Sequence, residues 1–277
     1  MQTRQQALAS AVAAFGFLLA TDGASGAVAA PPPAGPEAAA ALPDWSGVWA
    51  PNQGEVFDAG SASPAAGARD RPPYRPEWEA KYVATMAKLK EDPKTDPLQE
   101  CYPLGLLRMM SVDGHYEFAV RPEQVWIFSG SPPGPESTGA QTRRIYTDGR
   151  ENLKGDDLFA QYTGNSVGRW EGDTLVVTTV GLNDTNFVDR TGAQLSGDVV
   201  VRERIRLVAP DTLEDRFTIE DATALTEPWV VTRTWRRLLK ETPIMDDSCL
   251  GKRVDPAALV DAAAQAKVGQ AKAGQAR

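Results

Sequence analysis

The chain has 277 residues, of which 42% are hydrophobic, and its formal net charge is −8. Such an acidic surface repels phosphate backbones and anionic lipids, and no block of lysine and arginine compensates locally. The composition therefore argues against nucleic acids and membrane surfaces as partners, and the length fits a single globular domain.

Residues 1–30 have the three parts of a secretory signal peptide. Arg4 lies near the amino terminus, an apolar run extends from Ala7 to Ala20, and the small residues Ala27-Val28-Ala29 precede a proline cluster. The apolar run is too short to span a bilayer comfortably, and a membrane anchor is the alternative. We expect residues 1–30 to be removed and the mature protein to be periplasmic or secreted, without insertion into a membrane.

The next part of the chain alternates between loops and ordered structure. Residues 31–43 are rich in proline and alanine and should form a flexible leader. The start of an ordered strand is predicted at Asp44-Trp45-Ser46-Gly47-Val48-Trp49, which contains two tryptophans that need to be buried. Residues 54–73 again have the composition of a long loop. Apolar residues recur at helical spacing from Glu77 to Glu91, and Pro93 ends this pattern.

After residue 101 the hydrophobic periodicity changes to two, which is typical of strands with one buried face. Turn signals separate the candidate strands, which are Tyr116 to Val120, Gln124 to Phe128, Arg143 to Thr147, Ser166 to Trp170, Thr174 to Val180, Val199 to Val208, Thr212 to Glu220 and Trp229 to Leu239. So many strands joined mostly by short connections favour a closed antiparallel barrel, because an open sheet would leave exposed edges. A β-sandwich is the alternative.

The strands define one mainly β domain over residues 44–254. We expect the helix of residues 77–91 to flank this domain and to pack across the barrel. The tail, residues 255–277, is rich in alanine, glutamine, lysine and glycine and should be frayed or disordered. Cys101 and Cys249 most simply form one disulfide in an exported chain, and two free thiols are the alternative.

The pattern between Val199 and Glu220 fixes the register of one hairpin. A three-residue loop, 209–211, places every apolar residue of both strands on one face. The predicted pairs are Leu207 with Leu213, Ile205 with Asp215, Glu203 with Phe217 and Val201 with Ile219. Glu203 and Asp215 therefore share the apolar face. An unpaired carboxylate inside an apolar barrel is costly and has a raised pKa, whereas a carboxylate beside an arginine stays ionised.

The following strand places Arg233 on one face with Trp229 and Trp235, so that Arg233 would accompany the two acids. Two interpretations stay open. The acids and Arg233 could form a buried cluster that only fixes the fold, or an acid–base pair with a cation that holds an anionic or phenolate ligand. His115, the only histidine of the chain, could serve as a general base at the barrel rim, and a turn-adjacent polar residue is its other interpretation.

Several familiar chemistries are disfavoured. The run Gly164-Asn165-Ser166-Val167-Gly168 matches G-x-S-x-G, but a strand follows where a hydrolase requires a helix, and no histidine lies after Ser166. One histidine and two cysteines supply too few ligands for zinc, and no glycine-rich phosphate cradle precedes a helix. We predict neither a metal nor a cofactor. The strand aromatics that remain could form walls of a pocket for an aromatic ligand.

Two runs carry a family resemblance. Arg143-Arg144-Ile145-Tyr146-Thr147-Asp148-Gly149-Arg150 and the later GNSVGRWEGDTLVV, residues 164–177, resemble a large group of exported bacterial proteins with lipocalin-like (calycin-type) barrels, mostly uncharacterised. The likeness covers roughly residues 44–249. It implies a closed barrel and, from members with an associated role, a cofactor-free enzyme acting on plant-derived phenolic compounds. The chain departs from the group near Asn152 and at residues 195–197, where the group often has histidines.

These observations lead to one functional hypothesis and one alternative. The barrel would bind a small aromatic molecule and promote a cofactor-independent elimination, decarboxylation or related lyase step, with protons moved by Glu203, Asp215 or His115. The predicted ligand contacts are Arg233, Arg144, Tyr146, Trp170, Trp229 and Trp235. A non-catalytic periplasmic carrier with the same pocket is the alternative.

Overall fold

The computed structural model describes residues 42–52, 72–100, 102–130 and 140–238, together with residues 242 and 244. The predicted signal peptide, the leader up to residue 41, the Ala-rich tail and both cysteines lie outside the described residues, so the Cys101–Cys249 disulfide stays a prediction. Within the described ranges, no helix is long and apolar enough to cross a membrane.

Nine strands close into a barrel in which each strand pairs with the next along the chain and the last pairs with the first. The strands are β1 (Val48–Pro51), β2 (His115–Val120), β3 (Gln124–Gly130), β4 (Gln141–Tyr146), β5 (Asn165–Glu171), β6 (Thr174–Val180), β7 (Val200–Ala209), β8 (Thr212–Glu220) and β9 (Trp229–Arg237). The helices are α1 (Pro76–Glu91) and α2 (Leu106–Met109), with short 3-10 helices at Pro93–Thr95, Pro97–Glu100 and Gly155–Asp157. The predicted closed, mainly β barrel is confirmed.

One junction of the barrel is parallel. β4 and β5 run in the same direction, with Ile145 beside Ser166 and Tyr146 beside Val167, whereas the other neighbouring strands are antiparallel. An odd number of strands can close into a ring only if an odd number of neighbouring pairs run parallel. The β4–β5 junction therefore allows nine strands to close, and residues 147–164 carry the chain back to the opposite end of the barrel.

The predicted strands form within two residues of their expected limits wherever the structure describes them. The β7–β8 register matches the prediction at all four pairs, from Leu207 with Leu213 to Val201 with Ile219. The predicted three-residue loop is wrong in detail, because Ala209 pairs with Thr212 and a register shift falls between Leu207 and Ala209. A two-residue turn plus a bulge at Val208 thus gives the register expected from a longer loop.

The two ends of the barrel differ. Short connections, 121–123, 172–173 and 210–211, lie at one end, which we call the turn end. The longer connections 181–199 and 221–228 lie at the other, which we call the loop end. Aromatic rings fill the turn end: the Trp45 ring centroid lies 5.3 Å from that of Trp170 and 6.0 Å from that of Phe118.

The segment 104–112, which we call the plug segment, enters the barrel from the loop end. All four residues of α2, within this segment, are buried. The Tyr116 hydroxyl lies 2.7 Å from the Met109 carbonyl oxygen and 2.8 Å from that of Val112. Because Tyr116 is a fully buried residue of β2, these contacts place the plug segment against the interior of the barrel.

The helix α1 contacts the loop end instead of lying across the strands as predicted. Its buried residue is Tyr82, whose hydroxyl lies 2.7 Å from that of Thr191. A Cβ atom on Gly192 would come within 2.6 Å of the Thr85 methyl group, so the helix and the 189–194 loop are in close contact. The remaining helix positions are partly or fully exposed.

Candidate functional site

Among the described residues, four charged side chains of the strands face the interior of the barrel: Arg143, Glu203, Asp215 and Arg233 are each at most 1% exposed. Strand alternation places them there, because each lies two positions from an apolar residue that faces the core, such as Ile145 for Arg143. The predictions that Glu203 and Asp215 point inward, and that Arg233 joins them, are confirmed.

Arg143 and Glu203 form a buried bidentate ion pair. The Arg143 Nη1 donates to Glu203 Oε1 at 2.7 Å, and Nη2 donates to Oε2 at 2.5 Å. Two parallel hydrogen bonds of this kind are among the stronger polar contacts in proteins. The Arg143 guanidinium also contacts the Ser166 hydroxyl through Nε at 3.2 Å and the Thr179 hydroxyl through Nη2 at 3.0 Å. The ion pair therefore links β4, β5, β6 and β7 from within.

Asp215 has a different environment. It is fully buried on β8, opposite Ile205 of β7 and Arg233 of β9, and neither of its carboxyl oxygens accepts a hydrogen bond from an N–H or hydroxyl group of the described residues. Burial raises the pKa of Asp215 well above its ordinary value of 3.8, and the charge of Glu203 raises it further, against the opposing effect of Arg143. A protonated Asp215 can itself donate to Glu203, which also favours the protonated form.

Arg233 contacts the plug segment. Its Nη2 donates to the Val112 carbonyl oxygen at 3.3 Å, and its guanidinium carbon lies 5.7 Å from the Trp235 ring centroid. Trp229 and Trp235 are buried on the same face, as predicted. The cation that pairs with Glu203 is nevertheless Arg143, not Arg233.

Three predicted site residues lie away from the interior acids. Arg144 and Tyr146 belong to the outer face of β4, since they alternate with the buried Arg143 and Ile145. The Arg144 guanidinium carbon lies 3.8 Å from the Trp126 ring centroid on that outer face. His115 alternates with the inward-facing Tyr116 and begins β2 at the loop end. These three side chains therefore cannot contact a ligand held between Glu203 and Asp215, contrary to the prediction.

Trp170 and Ser166 have structural contacts. Trp170, a predicted ligand contact, packs against Trp45 at the turn end. Ser166 is buried, and its hydroxyl lies 2.8 Å from that of Thr179 and within hydrogen-bond distance of Arg143. This arrangement agrees with the rejection of a serine nucleophile. The Asn183 Oδ1 accepts from the Thr185 backbone N–H at 2.8 Å, which forms an Asx turn.

Arg143 is absent from the residues predicted from the sequence, which assign the binding of an anion to Arg233 or Arg144. A signal was available, since Arg143 lies two residues before Ile145, the apolar residue of that strand. The tyrosine at position 146 gave the opposite face an apolar character as well, and the two faces of this short strand could not be separated by pattern alone.

A pocket at the loop end, which we call the mouth pocket, lies between the plug segment and the β6–β7 connection. The space between atoms there is about 350 Å³ including the part open to solvent, and the centre of a water molecule can occupy about 30 Å³. Its lining residues are Leu104, Gly105, Leu106, Leu107, Tyr162, Leu182, Asn183, Asn186, Phe187, Val188, Leu195, Ser196 and Val199. Most of these are buried and apolar.

Two further pockets lie among the described residues. The centre of a water molecule can occupy about 330 Å³ in a groove beside residues 43–47 and β2, and about 220 Å³ in a pocket around Asp221 and Glu227. By this measure both are larger than the mouth pocket, which has about 30 Å³. Arg143, Glu203, Asp215 and Arg233 are absent from the lining of all three pockets.

Comparison with known proteins does not identify a family for this chain. No family model matches the sequence, and no curated protein matches it. Among solved structures, the chain is similar to the crystal structure of a single-residue mutant of the fluorescent protein UnaG, with a TM-score of 0.32 and 10% identity over 70% of this chain and 96% of that chain. A likeness of this degree carries no inference about ligand or activity. Membership of the exported lipocalin-like group stays a prediction.

Proposed function

We propose that the protein binds a small aromatic or phenolic molecule inside the barrel, and that Asp215 donates a proton to it in a lyase-type step without a cofactor. The observation that carries the proposal is the state of Asp215. Its carboxyl group is fully buried, neither oxygen accepts a hydrogen bond from an N–H or hydroxyl group of the described residues, and the carboxylate of Glu203 is near enough to accept the Asp215 proton. Buried groups with strongly perturbed pKa values are concentrated at functional sites.

An elimination from a phenol with a hydroxyl group on the para benzylic carbon shows how protons would balance. The benzylic carbon–oxygen bond breaks, both electrons leave with the oxygen, and that oxygen takes the Asp215 proton and departs as water. Electrons of the phenolic O–H bond form the quinone methide, and the phenolic proton passes to Glu203. Proton transfer from Glu203 to Asp215 restores the starting state, and Arg143 compensates the buried negative charge throughout.

Access to Asp215 would come from the loop end, because aromatic rings fill the turn end. The plug segment lies in the way, with the Val112 carbonyl oxygen accepting a hydrogen bond from Arg233. A ligand that reaches Asp215 therefore has to take the place of plug side chains. Binding should accordingly be slow and should expose the plug amides to hydrogen exchange.

A non-catalytic carrier is the second candidate function. It is favoured by the position of the mouth pocket, whose lining includes neither Glu203 nor Asp215. A carrier would hold its ligand at the loop end, where apolar side chains surround a few polar groups, as in many small-molecule sites.

The two functions can be separated by incubating the full chain with phenolic dimers that carry a benzylic hydroxyl group. Products are followed by mass spectrometry, and binding is followed by calorimetry. We expect conversion by the wild type and by Arg144→Gln, a control on the outer face, and loss of conversion in Asp215→Asn. Binding without conversion would support the carrier and reject the lyase. Full conversion by Asp215→Asn would reject the assignment of the proton donor.

We also propose that the protein is exported to the periplasm or secreted, and that it belongs to the exported lipocalin-like group. The proposal is supported by the signal-peptide pattern of residues 1–30 and by the GRWEGDTLVV run of residues 168–177. The intact mass of the protein recovered from a periplasmic fraction should lack residues 1–30. Recovery of the full-length chain from the cytoplasm would contradict export.

A further inference from the structure

The mouth pocket contains an amide whose hydrogen-bonding groups are both unused. The Oδ1 and Nδ2 atoms of Asn186 are shielded from solvent, and neither has a hydrogen-bond partner among the described residues. The amide packs against Gly105, where an added Cβ atom would lie 2.2 Å from Nδ2. A buried donor or acceptor without a partner costs about 1–3 kcal/mol, so this amide requires a partner that the described chain does not supply.

Two neighbouring polar side chains of the pocket are already engaged. The Asn183 Oδ1 accepts from the backbone N–H and the hydroxyl group of Thr185. The Ser196 hydroxyl donates to Asp221 Oδ1 at 2.9 Å and accepts from the Asp198 backbone N–H at 3.1 Å. The Asn186 amide is therefore available to a ligand in a way that these two groups are not.

The lining restricts the chemistry of that ligand. None of the residues lining the mouth pocket carries a charge, and most are leucine, valine or phenylalanine. An ionised ligand would lose its hydration without a compensating charge, which is costly. A primary amide side chain presents a donor and an acceptor side by side. A neutral molecule with an N–H group and a carbonyl oxygen on the same side can pair with it, because its N–H donates to the Asn186 oxygen and its carbonyl accepts from the Asn186 nitrogen. A lactam or another cis amide has this arrangement.

We propose that the mouth pocket is a binding site for small neutral lactams, held by two hydrogen bonds to the Asn186 amide and by apolar contacts with Leu106, Phe187 and Leu195. The site is separate from Asp215, and it stands whether or not the interior carboxyl groups perform chemistry. An ordered water molecule is the alternative occupant, because it too can form hydrogen bonds with the Asn186 amide.

The test uses the full chain and δ-valerolactam as the probe, with N-methyl-δ-valerolactam as the matched ligand that lacks the donor. Saturation-transfer NMR and calorimetry measure binding. We expect δ-valerolactam to bind and its N-methyl analogue to bind about tenfold more weakly or worse, because the analogue leaves the buried Asn186 acceptor unpaired. Equal binding of both compounds, or no binding of δ-valerolactam, would overturn the proposal and leave a water-filled cavity.

The variant Asn186→Leu separates ligand binding from stability, because the loss of a purely structural amide would lower stability. An apolar residue of similar shape removes two unsatisfied groups, so the variant should unfold at the same or higher urea concentration while lactam binding falls at least about tenfold. The same substitution at the exposed Asn52, outside the pocket, should leave binding unchanged. Retained lactam binding in Asn186→Leu, or a clear loss of its stability, would show that the amide has a structural function instead.

Discussion

Replacing Arg143 with methionine removes the cation that faces Glu203 inside the barrel. Both side chains of this ion pair have no exposed surface, so solvent cannot screen the charge that remains. The variant leaves a buried carboxylate beside a second carboxyl group, Asp215. Breaking a buried ion pair on one side costs about 3–5 kcal/mol, and we expect this loss in the free energy of unfolding of Arg143→Met. Glu203→Leu, which leaves the guanidinium unpaired, should lose a similar amount.

The double variant Arg143→Met/Glu203→Leu should be more stable than either single variant. It removes both charges together, and apolar replacement of a whole buried pair is often close to neutral. The hydroxyl groups of Ser166 and Thr179 lose the guanidinium but keep each other, at 2.8 Å. The two substitutions should therefore couple by at least about 3 kcal/mol.

Urea unfolding followed by tryptophan fluorescence measures all four proteins of this cycle, and coincident circular dichroism checks that unfolding is two-state. Arg144→Met is the matched control, because the same substitution on the outer face of β4 removes an exposed arginine. It should cost less than about 1 kcal/mol. If the single-variant losses add to that of the double variant within about 0.5 kcal/mol, the two buried charges do not stabilise each other as described.

Three further predictions concern other parts of the barrel. Because burial and a neighbouring carboxylate raise the pKa of Asp215, the folded state holds its proton more strongly than the unfolded state. The contribution of Asp215 to the free energy of unfolding should therefore fall as pH rises from 3.8 to the raised pKa, and urea titrations of Asp215→Asn should lack that part of the pH dependence. Gly172→Ala should cost about 1–2 kcal/mol for its left-handed backbone. Gly164→Ala should cost more in the same assay, because its Cβ would lie 2.8 Å from a β6 carbonyl oxygen. Tyr116→Phe should cost about 0.5–1.5 kcal/mol and accelerate hydrogen exchange in the plug segment.

Each of these expectations has a contrary outcome. An unchanged pH slope in Asp215→Asn would mean that the carboxyl group ionises normally in the folded barrel. Equal losses for the two glycine variants would show that the tight contact at Gly164 relaxes without cost. Unaltered exchange in Tyr116→Phe would mean that packing alone holds the plug segment in place.

The regular part of the barrel could be predicted from the sequence because its strands alternate strictly. β7 and β8 carry apolar residues at alternate positions on both sides of Glu203 and Asp215, so their register and the inward direction of these two acids follow from the pattern. β4 is shorter and has arginine on both faces, and the partner of Arg143 lies three strands away. Only the closed barrel reveals which arginine is buried.

The plug segment and the mouth pocket could not be predicted for a different reason. They are formed by connections that lack periodicity, and their position depends on contacts with the inward-facing Tyr116 and Arg233. The parallel β4–β5 junction was equally hidden, because strand direction is not encoded in alternation. The buried amide of Asn186 likewise became recognisable only once its surroundings were known.

The parallel junction between β4 and β5 affects the tendency of the protein to aggregate at high concentration. The strands β4 and β5 pair at two positions, Ile145 with Ser166 and Tyr146 with Val167, and the guanidinium of Arg143 spans the same seam from inside. If the seam separates, two unpaired edges face solvent, and each is a template for recruiting another chain. Substitution of Arg143 should therefore cause the protein to precipitate during expression and storage. This precipitation should begin while most molecules are still folded.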